Sequence, residues 1–427
     1  MKKSVLFAFA ASSLLFCACG GDSNVVSGEP QNNAVQQITL QVASSGDGMT
    51  SRAGRPLESS EADQDIQYVK VIVCDNSNQV KYTSTINDWD NNGSQPYSNE
   101  GAHGRQAILT IPEADRLAAG TYKVYAIGYS DPSDYGLDEI TGIAKDATFN
   151  ENMTISLNGT DKKVEEIFAG STADFKIESD KKAEGTVVLN RQVAGSYGYV
   201  KDIPYVAGAT ELQLVASTGN TQLVLGNFAN YDLTGNGTNN DGHVNYVING
   251  GTPATGEQVI YTIDLTKWFT NIKDVDNNGL IDVDGNWISE GHTAYAEGSA
   301  FAGEFIIPFA KTTGQTFTLK LVNPTTDAVA ATWNVNLPEG DGQLSAHSVA
   351  AWDGTSSFTT TADVVDSKNS YSVVRNHLYG IGVRTSKTPD NPGKDPEGDD
   401  PQSLKKAQSI TLKVNDNWEV IHKMEIE

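Results

Sequence analysis

An all-β chain built as two antiparallel β-sandwich domains followed by a C-terminal strand segment is what this sequence predicts. Three observations point there. Short apolar runs with period-two alternation recur along most of the 427 residues. Turn residues, with Gly prominent at 40 positions, separate them, and plausible helices are few. The last stretch, Ser403 to Glu427, alternates like a half-buried strand but follows a polar, Pro-rich tether. A strand on such a tether cannot bury its apolar face alone; it needs a sheet that lacks a strand.

The elements follow in order. Lys2-Lys3 and the apolar run Val5 to Phe16 form an export signal, too short to span a membrane as a mature helix. Ala18-Cys19-Gly20 places a cysteine after a small residue, as in a bacterial lipoprotein signal. Cys17 is the poorer candidate, because Phe16 is too bulky to precede a cleavage. Residues 1–18 are thus read as signal peptide and Cys19 as the lipidated residue. An incidental cysteine after an ordinary secretory signal is the competing reading. Cys74 is then the only other thiol after cleavage, so no internal disulfide framework is expected.

Residues 19–52 read as a propeptide. It holds a first strand, Gln36-Gln37-Ile38-Thr39-Leu40-Gln41-Val42, and most of a small, polar loop that continues past its end through Arg52-Ala53-Gly54-Arg55-Pro56. Such a loop is open to proteolysis. Ala53 after Arg52 suits an Arg-specific protease, whereas Pro56 after Arg55 does not. An ordinary linker with incidental arginines is the alternative.

Residues 53–183 read as the first sandwich, with strands at 66–74, 106–111, 121–129 and 153–157. Residues 184–386 read as the second, opening at Thr186 to Ala194 and continuing through strands at 210–216, 221–225, 258–263, 301–309, 316–322 and 332–337 to a closing run at 371–383. The long loops 227–251 and 271–300 exceed plain connectors and suggest exposed functional loops. Residues 387–403 form the acidic tether, kept extended by proline and solvated by charge. Residues 404–427 carry Ile410, Leu412 and Val414, a break at Asn415-Asp416-Asn417, then Trp418, Val420, Met424 and Ile426.

That segment echoes the first strand. Gln408 to Val414 and Gln36 to Val42 both read Q-x-I-T-L-x-V. Two segments with one pattern can fill one groove, in turn or in different molecules. Ile-Thr-Leu-x-Val is also ordinary strand composition, so coincidence is the competing account.

Charge and chemistry exclude several classes. The formal net charge is −24, with no basic run, which argues against nucleic acid. The six histidines show no zinc spacing, and no nucleophile elbow, phosphate loop or dinucleotide fingerprint occurs. Nothing selects a carboxylate pair, so an enzyme is not expected and no organic cofactor is implied. One loop has metal-ligand spacing. Asp274, Asp276, Asn278 and Asp282, with Gly279, match positions 1, 3, 5, 9 and 6 of a calcium loop. Position 12 is Gly285 in place of the bidentate Glu, and a polar hairpin loop is the alternative reading.

The ordered set of features resembles the fimbrillins, the subunits of Bacteroidetes type V pili. The lipoprotein signal ending in Cys19, the strand followed by Arg52-Ala53 and the run Leu189-Asn190-Arg191-Gln192-Val193-Ala194-Gly195 carry the resemblance, together with Val374-Arg375-Asn376-His377-Leu378-Tyr379 and the tether with its terminal strand segment. It implies two transthyretin-like sandwiches and export as an outer-membrane lipoprotein precursor. It further implies cleavage after Arg52 by an Arg-specific protease, and polymerisation with neighbouring pilin subunits, like or accessory, into an extracellular adhesive fimbrium. The alternatives are an uncleaved anchor or a tip subunit, or a monomeric glycan-binding surface lipoprotein.

Overall fold

The computed structural model of the chain describes residues 34–43, 66–99, 102–159, 162–225, 247–292, 295–312, 314–336, 348–362, 371–383, 400–405 and 409–415. Among them the chain is almost entirely β. The first part supplies β1 (Gln36–Ala43), β2 (Tyr68–Cys74), β3 (Val80–Ile86), β4 (Gln95–Asn99), β5 (Ala102–Thr110), β6 (Gly120–Tyr129), β7 (Thr154–Ser156), β8 (Phe168–Ile177) and β9 (Ala183–Arg191). The second supplies β10 (Ala194–Lys201), β11 (Glu211–Ala216), β12 (Asn220–Val224), β13 (Val247–Ile248), β14 (Gly250–Pro253), β15 (Gln258–Asp264), β16 (Ala300–Ile306), β17 (Phe317–Asn323) and β18 (Ala328–Asn336). It continues with β19 (Ser348–Trp352), β20 (Phe358–Ala362), β21 (Leu378–Ile381), β22 (Gln402–Ser403) and β23 (Ser409–Asn415). A single short helix, α1 (Asp138–Thr141), and brief turns such as the 3-10 turn Glu113–Asp115 are the helical content described. No helix among these residues is long and apolar enough to cross a membrane.

Two main sheets organise the molecule. The first runs β3-β2-β6-β8-β9-β1-β5-β4. Its inward residues, among them Ile38, Leu40, Val69, Val71, Val73, Trp89, Val124, Phe175, Val187 and Leu189, form one buried cluster. Strands far apart along the path share that cluster, so the sheet curls around its own core. The second runs β15-β11-β17-β18-β23-β21-β10-β16, with β22 beside β10.

β2 explains why the halves are not separate. Its run Val-Lys-Val-Ile-Val-Cys is apolar on both faces. Val69, Val71 and Val73 enter the first core, while Ile72 and Cys74 join a larger cluster shared with the second sheet. The sheets exchange at Gln192. The strand that the sequence reading places at the opening of the second domain, β9, pairs with β8 and β1 in the first sheet. β10 is the first strand of the second sheet.

Direction departs from a purely antiparallel plan. Each main sheet is mostly antiparallel but contains parallel pairs: β1 with β9, β10 with β21 and β22, and β18 with β23. Alternation of side chains has the same period in either direction, so it cannot distinguish them.

Candidate functional site

β1 sits inside the first sheet. On one side it pairs antiparallel with β5, Ile38 opposite Leu109 and Leu40 opposite Ala107. On the other it pairs parallel with β9, Ile38 opposite Gly185 and Leu40 opposite Val187. Ile38 and Leu40 are fully buried and Val42 nearly so. Thr39 and Gln41 face outward, and Gln41 donates to the Gln106 side chain. Filling this slot with Ile, Leu and Val is worth about 1.5–3 kcal/mol for each side chain, before ordering costs. Without β1, β5 and β9 lose their common neighbour and an apolar slot opens between them.

β23 bridges two strands of the second sheet, its first half beside β18 and its second half beside β21. It pairs parallel with β18, Val335 opposite Ile410, and antiparallel with β21, Ile381 opposite Leu412 and Tyr379 opposite Val414. Ile410 and Leu412 are buried at 1% and 0% exposure. The two strands that share I-T-L-x-V thus each have one parallel and one antiparallel neighbour, with the same Ile and Leu inward, although β1 is paired on both sides along its length and β23 on one side at a time. Here β23 occupies its own chain.

The chain leading to β23 is docked too. Val383 and Asp400 exchange backbone hydrogen bonds, each 2.8 Å, so both ends of the intervening tether meet. Ser403 donates to Asp202 at 2.6 Å, and buried Leu404 bonds through its N–H to the Lys201 carbonyl. The tether residues 384–399 lie outside the described residues, as do Cys19, Arg52, Ala53, Trp418, Val420, Met424 and Ile426.

The acidic loop gathers as its spacing suggests. One carboxylate oxygen from each of Asp274, Asp276 and Asp282 lies within 4.8 Å of the others. Asp274 accepts from the N–H groups of Asn278 and Gly279, Asp282 from Val275, and Asn278 from Leu280. Oxygen donors converging on one turn suit a hard cation such as calcium, and these four residues are the ones that could hold it.

A buried polar seam, which the sequence reading missed, joins the two sheets at their exchange point. Arg191 is 1% exposed at its side chain. It pairs with Glu166 at 2.7 Å, donates to Asn376 at 3.0 Å and lies over the Phe168 ring. Gln192 accepts from Arg375 at 2.8 Å and from Asn249 at 3.2 Å. The signal was present in Leu189 to Ala194 and Val374 to Tyr379, which drew attention only as motifs. A second missed residue is Gln36. It is fully buried, and its amide makes two hydrogen bonds to the backbone of Leu117. Cys74 is sealed in the shared core. Burial, reinforced by the nearby Asp75 and Glu151 carboxylates, pushes its thiol up to about 12.

No family model and no curated protein matches the chain. Among solved structures it is similar to a candidate cell adhesion protein from Parabacteroides distasonis, at 9% identity over 90% of this chain and 97% of that one, with a TM-score of 0.40. It is similar to the fimbrial anchor protein Mfa2 from Porphyromonas gingivalis, at 12% identity over 70% and 82% of the two chains, with a TM-score of 0.33. It is also similar to the C-terminally truncated tip fimbrial protein Mfa3 from the same organism, at 11% identity over 89% and 98%, with a TM-score of 0.34.

Proposed function

We propose that the chain is a structural pilin. It is exported as an outer-membrane lipoprotein precursor through Cys19 and cut between Arg52 and Ala53 by an Arg-specific protease. Subunits then join by strand exchange into an extracellular fimbrium that serves adhesion. The observation that carries this reading is that both strands with the I-T-L-x-V pattern have one parallel and one antiparallel neighbour and bury the same Ile and Leu, β1 flanked along its length and β23 by β18 over Ser409–Thr411 and by β21 over Leu412–Asn415. A strand suited to one slot has the inward residues for the other.

The physics is β-strand addition between subunits. Backbone bonds give generic affinity and the alternate side chains give fit. The cut severs β1 from the folded body and allows it to leave. Ile410, Leu412 and Val414 of a neighbour then replace Ile38, Leu40 and Val42. Burial of the three contributes roughly 5–9 kcal/mol before ordering costs. Each transfer fills a first slot and empties a second one. Trp418, Val420, Met424 and Ile426, the further alternating run, extend the contact. A head-to-tail exchange does not close on itself, so it builds a filament. β1 in the precursor keeps the slot from pairing prematurely.

A second reading has its own support. β23 and the docked run Asp400 to Leu404 belong to their own chain, as expected of a subunit that never donates: an uncleaved anchor, a tip, or a monomeric glycan-binding lipoprotein.

Treating purified precursor with an Arg-specific protease separates the two. N-terminal sequencing that begins at Ala53, together with ladders or filaments, is expected for the pilin. An uncut monomer refutes it and supports the second reading. A cut at Ala53 without assembly leaves a tip subunit or a missing partner subunit as the explanation.

A further inference from the structure

We propose that the glutamine opening Q-x-I-T-L-x-V is a register pin. Gln36 performs this role in the precursor, and Gln408 of an adjoining copy takes it over in the polymer, with the backbone of Leu117 as the receptor. The polymer half of the proposal rests on the strand-exchange reading above.

The problem that the pin solves is specific to a strand inserted from outside. A slip by one residue turns Ile, Leu and Val outward and is heavily penalised. A slip by two keeps apolar residues inward, and backbone bonds re-form along the ladder. Alternation alone therefore does not select among registers two residues apart. β1 ends in a residue that does. Gln36 is fully buried although polar. Its Nε2 donates to the Leu117 carbonyl at 2.9 Å, and its Oε1 accepts from the Leu117 N–H at 3.0 Å. Its own carbonyl accepts from the Ile111 N–H at 2.9 Å. The segment from Ile111 to Leu117 thus closes over the start of the slot. It offers one buried donor and one buried acceptor at a fixed distance from the Ile38 position. A strand shifted by two presents Ala34 or Ile38 there and leaves both Leu117 groups unpaired away from water, the costly outcome for backbone groups. A single buried polar side chain that fixes alignment is the best-attested use of such groups.

The donor carries the same residue at the same offset. Gln408 precedes Ile410 by the two positions that separate Gln36 from Ile38. In the β1 register, Ser409 of the incoming strand lies opposite Thr110, where Gln37 lies in the precursor.

Cysteine pairing reads the register directly. Chains carrying Ser409→Cys together with Thr110→Cys are cut with the Arg-specific protease, oxidised, and mapped for disulfide-linked peptides. Buried Cys74 does not compete. With Gln408 intact, an intermolecular 409–110 disulfide is expected. Gln408→Leu is expected to lower its yield by about tenfold and to shift linkage to a 411–110 disulfide when Thr411→Cys replaces Ser409→Cys. Equal 409–110 yield in the Leu variant overturns the pin while strand exchange stands. Polymers that form without the 409–110 disulfide overturn this register and leave the exchange reading intact. No polymer with Gln408 present overturns both the exchange and the polymer half of the pin. The uncut precursor tests the remainder without assembly. An intrachain disulfide between Gln37→Cys and Thr110→Cys is expected to form readily and to weaken when Gln36→Leu is added. Unchanged formation there overturns the pin in the precursor.

Discussion

Arg191 shows how much a single buried charge is asked to do here. It reaches Glu166 in the first half and Asn376, 185 residues away, in the second. Removing one member of a buried pair leaves the other charge uncompensated. Arg191→Ala or Glu166→Ala is therefore expected to cost about 3–5 kcal/mol, measured as a lowered midpoint in urea. An exposed pair such as Lys181 with Glu178 offers the contrast, since its loss is expected to leave the midpoint nearly unchanged. Cys74 supplies a second test at this scale. With its thiol pushed up to about 12 by burial, almost no thiolate forms near pH 8. The native protein is expected to resist alkylation at Cys74 and to react fully in denaturant; rapid labelling without denaturant contradicts a sealed core.

Among the elements that escaped the sequence reading, one is buried on both sides. β10, Ala-Gly-Ser-Tyr-Gly-Tyr-Val-Lys, is buried at nearly every position, so no polar face alternates with an apolar one. Its glycine has a packing reason: a Cβ at Gly198 would lie 2.7 Å from the Tyr261 hydroxyl. β8 escaped for a different reason, its central residues being small or polar. β1, with one clean face, and β23, with Ile410 and Leu412 buried, were legible at once. Their seating yields an expectation for the element as a unit. Truncation before Ser409 removes Ile410 and Leu412 from the second core and is expected to lower the melting temperature by several degrees. A synthetic peptide spanning residues 406–427 is expected to restore it, and failure to restore it argues against an exchangeable strand. The acidic loop is tested in the same way. If the loop binds calcium, millimolar calcium raises the melting temperature and Asp274→Asn with Asp276→Asn abolishes the rise. No shift in the unaltered protein retires calcium at this loop.

At the scale of the whole molecule, the shared cluster and the polar seam make the two sheets one body. Residues of β2, β6 and β8 pack in the same core as those of β11, β17 and β21. One calorimetric transition is expected for the precursor, with calorimetric and van't Hoff enthalpies equal. Two resolved transitions would mean that the sheets unfold independently.

The sequence by itself determined that the chain is β, that Ile38, Leu40 and Val42 of β1 and Ile410 and Leu412 of β23 face inward, and that these two strands are alike. Period-two alternation is local, and a local pattern survives into the fold wherever one face is buried and the other is not. The tertiary structure alone decided the partners. Alternation does not encode whether β1 runs parallel to β9, that β9 lies between β8 and β1 in the first sheet, or that β23 pairs with β18 and β21 of its own chain. These follow from cores assembled across more than a hundred residues. Gln36 joins both levels: its letter stood in the motif, and its role emerged only when Leu117 folded over it.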